Sequence, residues 1–247
     1  MSPSPTAGRE PGYTVAKSLL IPWLATSFKW HFEGLEHLPK SGPGLIACNH
    51  ISIFDPLAIA YAIHINGRRP RFLGKASLFK APVVGWVLRR AGQIRVDRGT
   101  ASAPSSLSMA EEALENGEIV VIFPEGTTTV ADDLSPLEPK TGISRLALAT
   151  RLPVIPCATW GGQWIWSYHL GFRPGFGKDV WVRFGAPVSF EEYAGTGRNP
   201  DAWRAVAKLT MDEISVLLAG LKAAKPWETR PLPEKTKAKL RKRGKLR

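Results

Sequence analysis

The stretch Glu118-Ile-Val-Val-Ile-Phe123 constrains the fold more than any other part of the chain. Gly117 bounds it on one side and Pro124 on the other, so it is too short for a helix and reads as a strand. An unbroken apolar run needs cover on both faces, as in the inner strands of a parallel sheet. Gly44-Leu-Ile-Ala-Cys-Asn49 reads the same way, and residues 71–74, 93–98, 153–158 and 180–184 supply further strands. Helix signals fill the gaps between them. Asp55 at an N-cap and Pro56 at the first helical position open a helix that runs to about Ile65 and stops at Asn66-Gly67. Residues 76–91 are helical with a break near Pro82, and the serine-rich 101–108 leads into a helix ended by Asn116-Gly117. Residues 141–150 and 200–222 complete the set. The alternation predicts an α/β fold, a mixed, largely parallel sheet flanked by helices. Ligands in such folds gather at the carboxyl ends of strands, where the polar loops HISIFD and PEGTTT lie.

A chain of 247 residues with 44% hydrophobic content supports one substantial core. The expected organisation is an N-terminal segment (1–34), one α/β domain (35–224) and a basic tail (225–247). Residues 1–12, rich in Pro, Gly and Ser, are expected to be mobile. In 13–32, Lys17, Pro22 and Lys29 interrupt the apolar run, which argues against a spanning helix, and no small-residue cleavage site follows it. Its Trp, Leu and Phe mixed with Lys suit a helix lying in a membrane interface; a core-packing helix is the alternative. Net charge is +12, and eight of those positive charges come from residues 235–247. Such a tail suits anionic lipid headgroups, nucleic acid or a phosphorylated cofactor, or is simply solvated. No basic-aromatic recognition motif lies outside it, which speaks against nucleic acid. Cys48 and Cys157 sit inside apolar runs without metal-ligand spacing and read as buried, reduced thiols.

The chemistry-bearing residues fall at the strand ends. His50 follows one buried strand, and Asp55 starts the next helix. If the loop turns back, the carboxylate can accept from one ring nitrogen and leave the other to take a proton from a hydroxyl. Asp55 as a mere cap and His50 as an ordinary loop histidine is the competing view. After the strand ending at Phe123, Pro124-Glu125-Gly126-Thr127 puts a carboxylate, a close-approach glycine and a hydroxyl on a tight turn. Arg98, at another strand's carboxyl end, either holds a phosphate bidentately or pairs with Asp97 at the surface. The aromatic-rich loop 160–178 either borders an apolar ligand tunnel or touches lipid, or packs as a satellite core.

Together, Asn49-His50-x4-Asp55, Gly92-x-Ile-x-Val-Asp-Arg98, Phe123-Pro-Glu-Gly-Thr127 and Val154-Ile-Pro156 resemble the four ordered blocks of the PlsC-like glycerolipid acyltransferase family, which includes 1-acylglycerol-3-phosphate acyltransferases. The resemblance covers about residues 35–190. It implies direct transfer without an acyl-enzyme: His50, oriented by Asp55, deprotonates the acceptor hydroxyl, which attacks the thioester of acyl-CoA or acyl carrier protein. It also implies that Glu125, Gly126 and Thr127 shape the acceptor site and that Arg98 binds the acceptor phosphate. The family's interfacial N-terminal helices also fit residues 13–32, and the basic tail, which is not part of the family pattern, suits an anionic membrane surface; a peripheral or monotopic position on the cytoplasmic face of the cell membrane is expected. Many phosphatidate-forming members carry Arg after the Phe-Pro-Glu-Gly-Thr block, whereas this chain has Thr128-Thr129. Either Lys140 or Lys75 substitutes, or the acceptor is glycerol-3-phosphate, another lysophospholipid or a glycolipid. No nucleophile elbow, Walker motif, dinucleotide fingerprint or metal cluster appears, so no bound cofactor or metal is expected. A non-catalytic lipid-binding module is the rival from another class.

Overall fold

The computed structural model describes residues 11–97, 103–196 and 199–242. Helix α1 (Pro11–Ser27) leads into strand β1 (Phe28–Glu33), and β2 (Gly44–Cys48) and α2 (Asp55–Ile65) follow. Next come β3 (Pro70–Lys75), the short helices α3 (Ala76–Phe79) and α4 (Pro82–Arg90), and β4 (Ile94–Val96). Helix α5 (Ala103–Glu115), β5 (Ile119–Ile122), α6 (Gly142–Thr150) and β6 (Val154–Trp160) continue the alternation. A small hairpin of β7 (Trp166–Ser167) and β8 (Gly171–Phe172) precedes β9 (Lys178–Phe184), α7 (Pro200–Ala224) and α8 (Glu234–Lys242).

Seven strands form one sheet in the order β1-β9-β6-β2-β5-β3-β4. All neighbours are parallel except β6 and β9. The unbroken apolar runs occupy the middle: every residue of β2, β5 and β6 is buried. Ile46 and Cys48 of β2 face a core shared with α1 and α2, while Leu45 and Ala47 face one shared with α5, α6 and α7. Helices on both sides supply the cover that such strands need. Cys48 and Cys157 are buried free thiols at paired positions of β2 and β6.

Three expectations are corrected. The helix beginning near residue 13 stops at Ser27, and residues 28–33 form the edge strand of the sheet. Phe28-Lys-Trp-His-Phe-Glu33 alternates inward and outward side chains, which is strand and not helix periodicity. The stretch after 224 is not simply a tail: Trp227 packs beside Trp164 and donates its Nε1–H to Asp132 O at 2.9 Å, and Leu232 and Leu240 are buried. Residues 243–247 lie outside the described part. Lastly, Asp55 is not its helix's N-cap, because its carboxylate is taken up elsewhere.

Helix α1 packs one side on the domain, and its Trp23 ring also meets Phe28 and Phe54 edge-on. Leu20 and Leu24 pack into the core, while Lys17 and Trp23 face outward. No described helix is long and apolar enough to cross a membrane.

Candidate active site

The parallel register puts the two polar loops level with each other. Ala47 of β2 pairs with Ile122 of β5, so His50 and Glu125, each three residues on, emerge side by side. The same count along β3 brings Lys75 level with Pro124, since Phe72 pairs with Val121. Asn49 extends the match on the other side: its Oδ1 accepts from Thr159 N at 2.8 Å and its Nδ2 donates to Thr159 O at 3.1 Å. An asparagine closing an all-apolar strand thus acts as one more rung of the sheet and fixes where His50 leaves it.

The loop 50–55 does turn back. Asp55 is fully buried, and its Oδ2 accepts from His50 Nδ1 at 3.0 Å and from the backbone amides of Ile51 and Ser52 at 2.8 Å each. Its Oδ1 accepts from the Ser52 hydroxyl at 2.7 Å, and Ser52 Oγ in turn accepts from Phe54 N and Asp55 N. Ser52 therefore fills the capping role that sequence patterning assigns to Asp55, and this frees the carboxylate for the imidazole. With Nδ1–H committed to Asp55, the lone pair of Nε2 is directed away from the support. Nε2 lies 3.1 Å from the Thr128 hydroxyl, and the ring stacks on Phe123 with centroids 4.3 Å apart.

Glu125 serves the loop from below. Its Oε1 accepts from His50 N at 2.6 Å and its Oε2 from Leu137 N at 2.8 Å, and the residue is 2% exposed. Burial pushes its carboxyl up to about 7. It does not border the cavity and so positions His50 without facing the acceptor, in contrast to the expectation from sequence. Thr129 N donates to His50 O at 2.8 Å and completes the clamp.

A cavity of about 950 Å3 opens over this site. His50, Gly126, Thr127, Thr128, Lys75 and Lys140 all line it, so five of the six are residues singled out by sequence patterning, and Thr128 is the departure noted there. Gly126 has φ +67°, and a Cβ on it would stand 3.1–3.2 Å from Lys140 Cδ, Cε and Nζ, so the glycine lets that lysine lie across the turn. Leu20, Leu24, Leu57, Tyr61, Phe72 and Val87 give the cavity an apolar wall. From the loop 160–178 Tyr168 reaches it; Trp164 packs against Trp160 and Trp227 instead. Arg98 lies outside the described residues. Among the described residues no group of three or more His, Cys, Asp or Glu side chains is placed to hold a metal ion. Gly162 escaped sequence reasoning: a side chain there would strike Ser52 and Asp55, and a Gly-Gly pair after a buried strand was its only signal.

Fold and site together define an α/β protein with a carboxylate-supported histidine at the carboxyl edge of a parallel sheet, facing an apolar cavity with a lysine rim. The Acyltransferase family model matches residues 29–160, more than half of the chain, and the chain belongs to that family. It is 32% identical over 136 residues to the chloroplastic 1-acyl-sn-glycerol-3-phosphate acyltransferase BAT2 of Brassica napus, covering 54% of this chain and 38% of that one. The 1-acyl-sn-glycerol-3-phosphate acyltransferase of Bacillus subtilis is 33% identical over 126 residues, covering 51% and 60%. The chain's match thus spans less than two thirds of these relatives' lengths. The crystal structure of the 1-acyl-sn-glycerophosphate acyltransferase PlsC from Thermotoga maritima shares the fold, with a TM-score of 0.62 at 24% identity over 88% of this chain and 83% of that one.

Proposed function

We propose that this protein moves a fatty acyl group from acyl-CoA or acyl carrier protein to the free hydroxyl of 1-acylglycerol-3-phosphate, giving phosphatidate. The observation that carries it is the buried Asp55 holding His50 Nδ1 at 3.0 Å while Nε2 faces a cavity of about 950 Å3. Such a volume suits a substrate carrying an acyl chain. His50 Nε2 takes the acceptor's proton as its oxygen attacks the thioester carbonyl. The tetrahedral intermediate collapses, the C–S bond breaks, and the proton passes from the imidazolium to the leaving thiolate. Asp55 holds the tautomer and stabilises the imidazolium. The thioester already carries the activated acyl group, so the chemistry needs no cofactor. On this reading Lys75 and Lys140, which line the cavity, bind the acceptor phosphate. Relatives named as 1-acyl-sn-glycerol-3-phosphate acyltransferases support this acceptor. The work would take place at an anionic membrane surface, on its cytoplasmic face.

A second acceptor class is favoured by Thr128, whose neutral hydroxyl stands against the reacting nitrogen. No cation from this turn then meets the acceptor there, which suits a lysophospholipid with a larger headgroup or a glycolipid.

Thiol release from palmitoyl-CoA by membranes carrying the protein tests the proposal, with lysophosphatidate as acceptor and His50→Ala as control. Stimulation by lysophosphatidate that His50→Ala abolishes supports phosphatidate formation. Release stimulated only by other acceptors selects the second class, and lipid binding with no release from any thioester would leave a non-catalytic module.

A further inference from the structure

Between Asp55 and Asp97 the chain has eight Lys or Arg and no acidic residue. Three of these cations already have partners within the chain. Arg68 donates to the carbonyls of Pro39, Gly42 and Gly117, Arg71 is paired with Glu118, and Arg95 with Asp97. Of the other five, Arg69 precedes β3, and Lys75, Lys80, Arg89 and Arg90 lie on or beside the α3–α4 hairpin; these four are exposed, although Arg89 also donates to Phe79 O.

The hairpin turns its apolar side chains the wrong way for a core. Phe79 is its inward anchor, 6% exposed, with Gly74 and Gly85 both closing on it: a Cβ on Gly85 would stand 2.2 Å from Phe79 O. That close packing points Leu78, Val83, Val84 and Trp86 outward, at 49%, 75%, 50% and 40% exposure. Arg90 lies over the Trp86 ring at 5.9 Å. A tight cluster of this kind on a short helical hairpin, ringed by cations, has the make-up of a surface that meets another phase. It also adjoins the site, because Lys75, Leu78, Val87 and Leu88 line the catalytic cavity and α1 packs against α4.

We propose that the outer face of α3–α4 is a membrane-docking surface. Val83, Val84 and Trp86 insert among the acyl chains of an anionic phospholipid bilayer, while Lys80 and Arg90 meet its phosphates. Trp86 and Arg90 form the amphipathic pair that sits at the headgroup boundary. Docked this way, the cavity mouth beside Leu78 opens towards the bilayer, and a lipid acceptor reaches His50 without crossing water. This last point rests on the proposed acyl transfer, whereas the docking itself does not. An acidic carrier protein would also be drawn by the cations, but it would leave the two valines without a matching phase.

Sedimentation of the full chain with vesicles of phosphatidylglycerol and phosphatidylcholine tests it, with no acyl donor present. The triple variant Val83→Ser, Val84→Ser, Trp86→Ser is expected to lose roughly 10-fold or more in partitioning. Lys80→Gln with Arg90→Gln is expected to lower binding to anionic vesicles and spare binding to pure phosphatidylcholine. Leu209→Ser with Val216→Ser, at exposed sites of α7, is the control and is expected to bind like wild type. Melting temperatures equal to wild type show that the variants fold. A folded triple variant that partitions as wild type overturns the docking surface. So does one that keeps its partitioning and loses turnover only with an acyl carrier protein donor, since the face would then belong to the carrier. His50→Ala reports separately on the chemistry: full partitioning without turnover is expected of it, and a wild type that binds vesicles yet transfers no acyl group overturns the catalytic proposal alone.

Discussion

Gly162 lies against Ser52 so closely that a Cβ on the glycine would stand 2.5 Å from Ser52 Oγ and 3.1 Å from Asp55 Oδ1. Its backbone is not in the left-handed region, so alanine would be tolerated conformationally and the conflict is purely steric. Because Ser52 Oγ holds both the start of α2 and the Asp55 carboxylate, the push reaches His50 through two hydrogen bonds. Gly162→Ala is expected to lower kcat by about 10- to 100-fold, since small misplacements of a catalytic group are costly. Steady-state kinetics beside a thermal melt checks this. Unchanged turnover would mean that Ser52 can give way without moving Asp55.

Asp55→Asn tests the carboxylate itself. Three donors converge on Oδ2 and a fourth on Oδ1. Ser52 Oγ already accepts two backbone amides, so its proton must go to Oδ1. An amide has one accepting oxygen, and either orientation sets its NH2 against a donor. Turnover is expected to fall by about 10²- to 10⁴-fold. Stability is expected to fall by about 1–3 kcal/mol for the buried mismatch. An active Asn variant would show that the imidazole needs no carboxylate.

The raised Glu125 carboxyl gives a pH signature. Its ordinary value is 4.5 and burial pushes it up to about 7, so the folded state binds the proton more tightly than the unfolded chain. The stabilisation this provides is complete below about 4.5 and is lost as pH rises through about 7, with a limit of about 3 kcal/mol. Glu125→Gln removes that titration. Wild type is therefore expected to lose melting temperature relative to Glu125→Gln between about pH 5 and about pH 8. Parallel melting curves across that range would show that Glu125 titrates normally.

Much of this site is visible in the sequence because parallel-sheet geometry is simple: unbroken apolar strands are central, and polar residues just past them gather at one edge. His50, Asp55, Gly126 and Thr127 were legible as strand-end residues on that basis, whereas Lys75 and Lys140 entered only as substitutes for an arginine that the family resemblance implies. Their side-by-side placement rests on the Ala47–Ile122 register, which no local pattern carries. Glu125 was misassigned because a carboxylate on a turn looks the same in sequence whether it faces a cavity or a pair of buried amides. Residues 28–33 were hidden in a Trp- and Leu-rich stretch whose composition outweighed its alternation. Their partner β9 is also remote in the chain and reverses direction against β6. Trp227 was obscured by the basic residues after it, although its indole docks on Trp164 and Asp132.

With His50 as the general base, Thr128 would compete with the acceptor for it. Its hydroxyl lies 3.1 Å from His50 Nε2, where an attacking hydroxyl must also come. One lone pair cannot serve both, so the acceptor displaces this hydrogen bond on binding. Thr128→Ala is expected to lower KM for the acceptor by roughly 2- to 10-fold, the worth of one neutral hydrogen bond, with kcat changed less. A large fall in kcat would instead make the hydroxyl part of the catalytic machinery.

Lys140 separates phosphate-bearing acceptors from a glycolipid. Its backbone amide donates to Pro124 O at 2.9 Å, and its side chain crosses Gly126 at the cavity wall. Lys140→Met keeps the aliphatic stem over the glycine and removes the charge. If the acceptor presents a phosphate here, its KM is expected to rise by about 10- to 100-fold with kcat little changed, because a charged hydrogen bond is lost in ground and transition state alike. Lys140→Arg is expected to recover part of that loss. A glycolipid acceptor has no phosphate to lose, so its KM should stay within about twofold in Lys140→Met. Acceptor kinetics on this one variant, run with lysophosphatidate and with an uncharged acceptor, thus discriminate the headgroup that the site was shaped to receive.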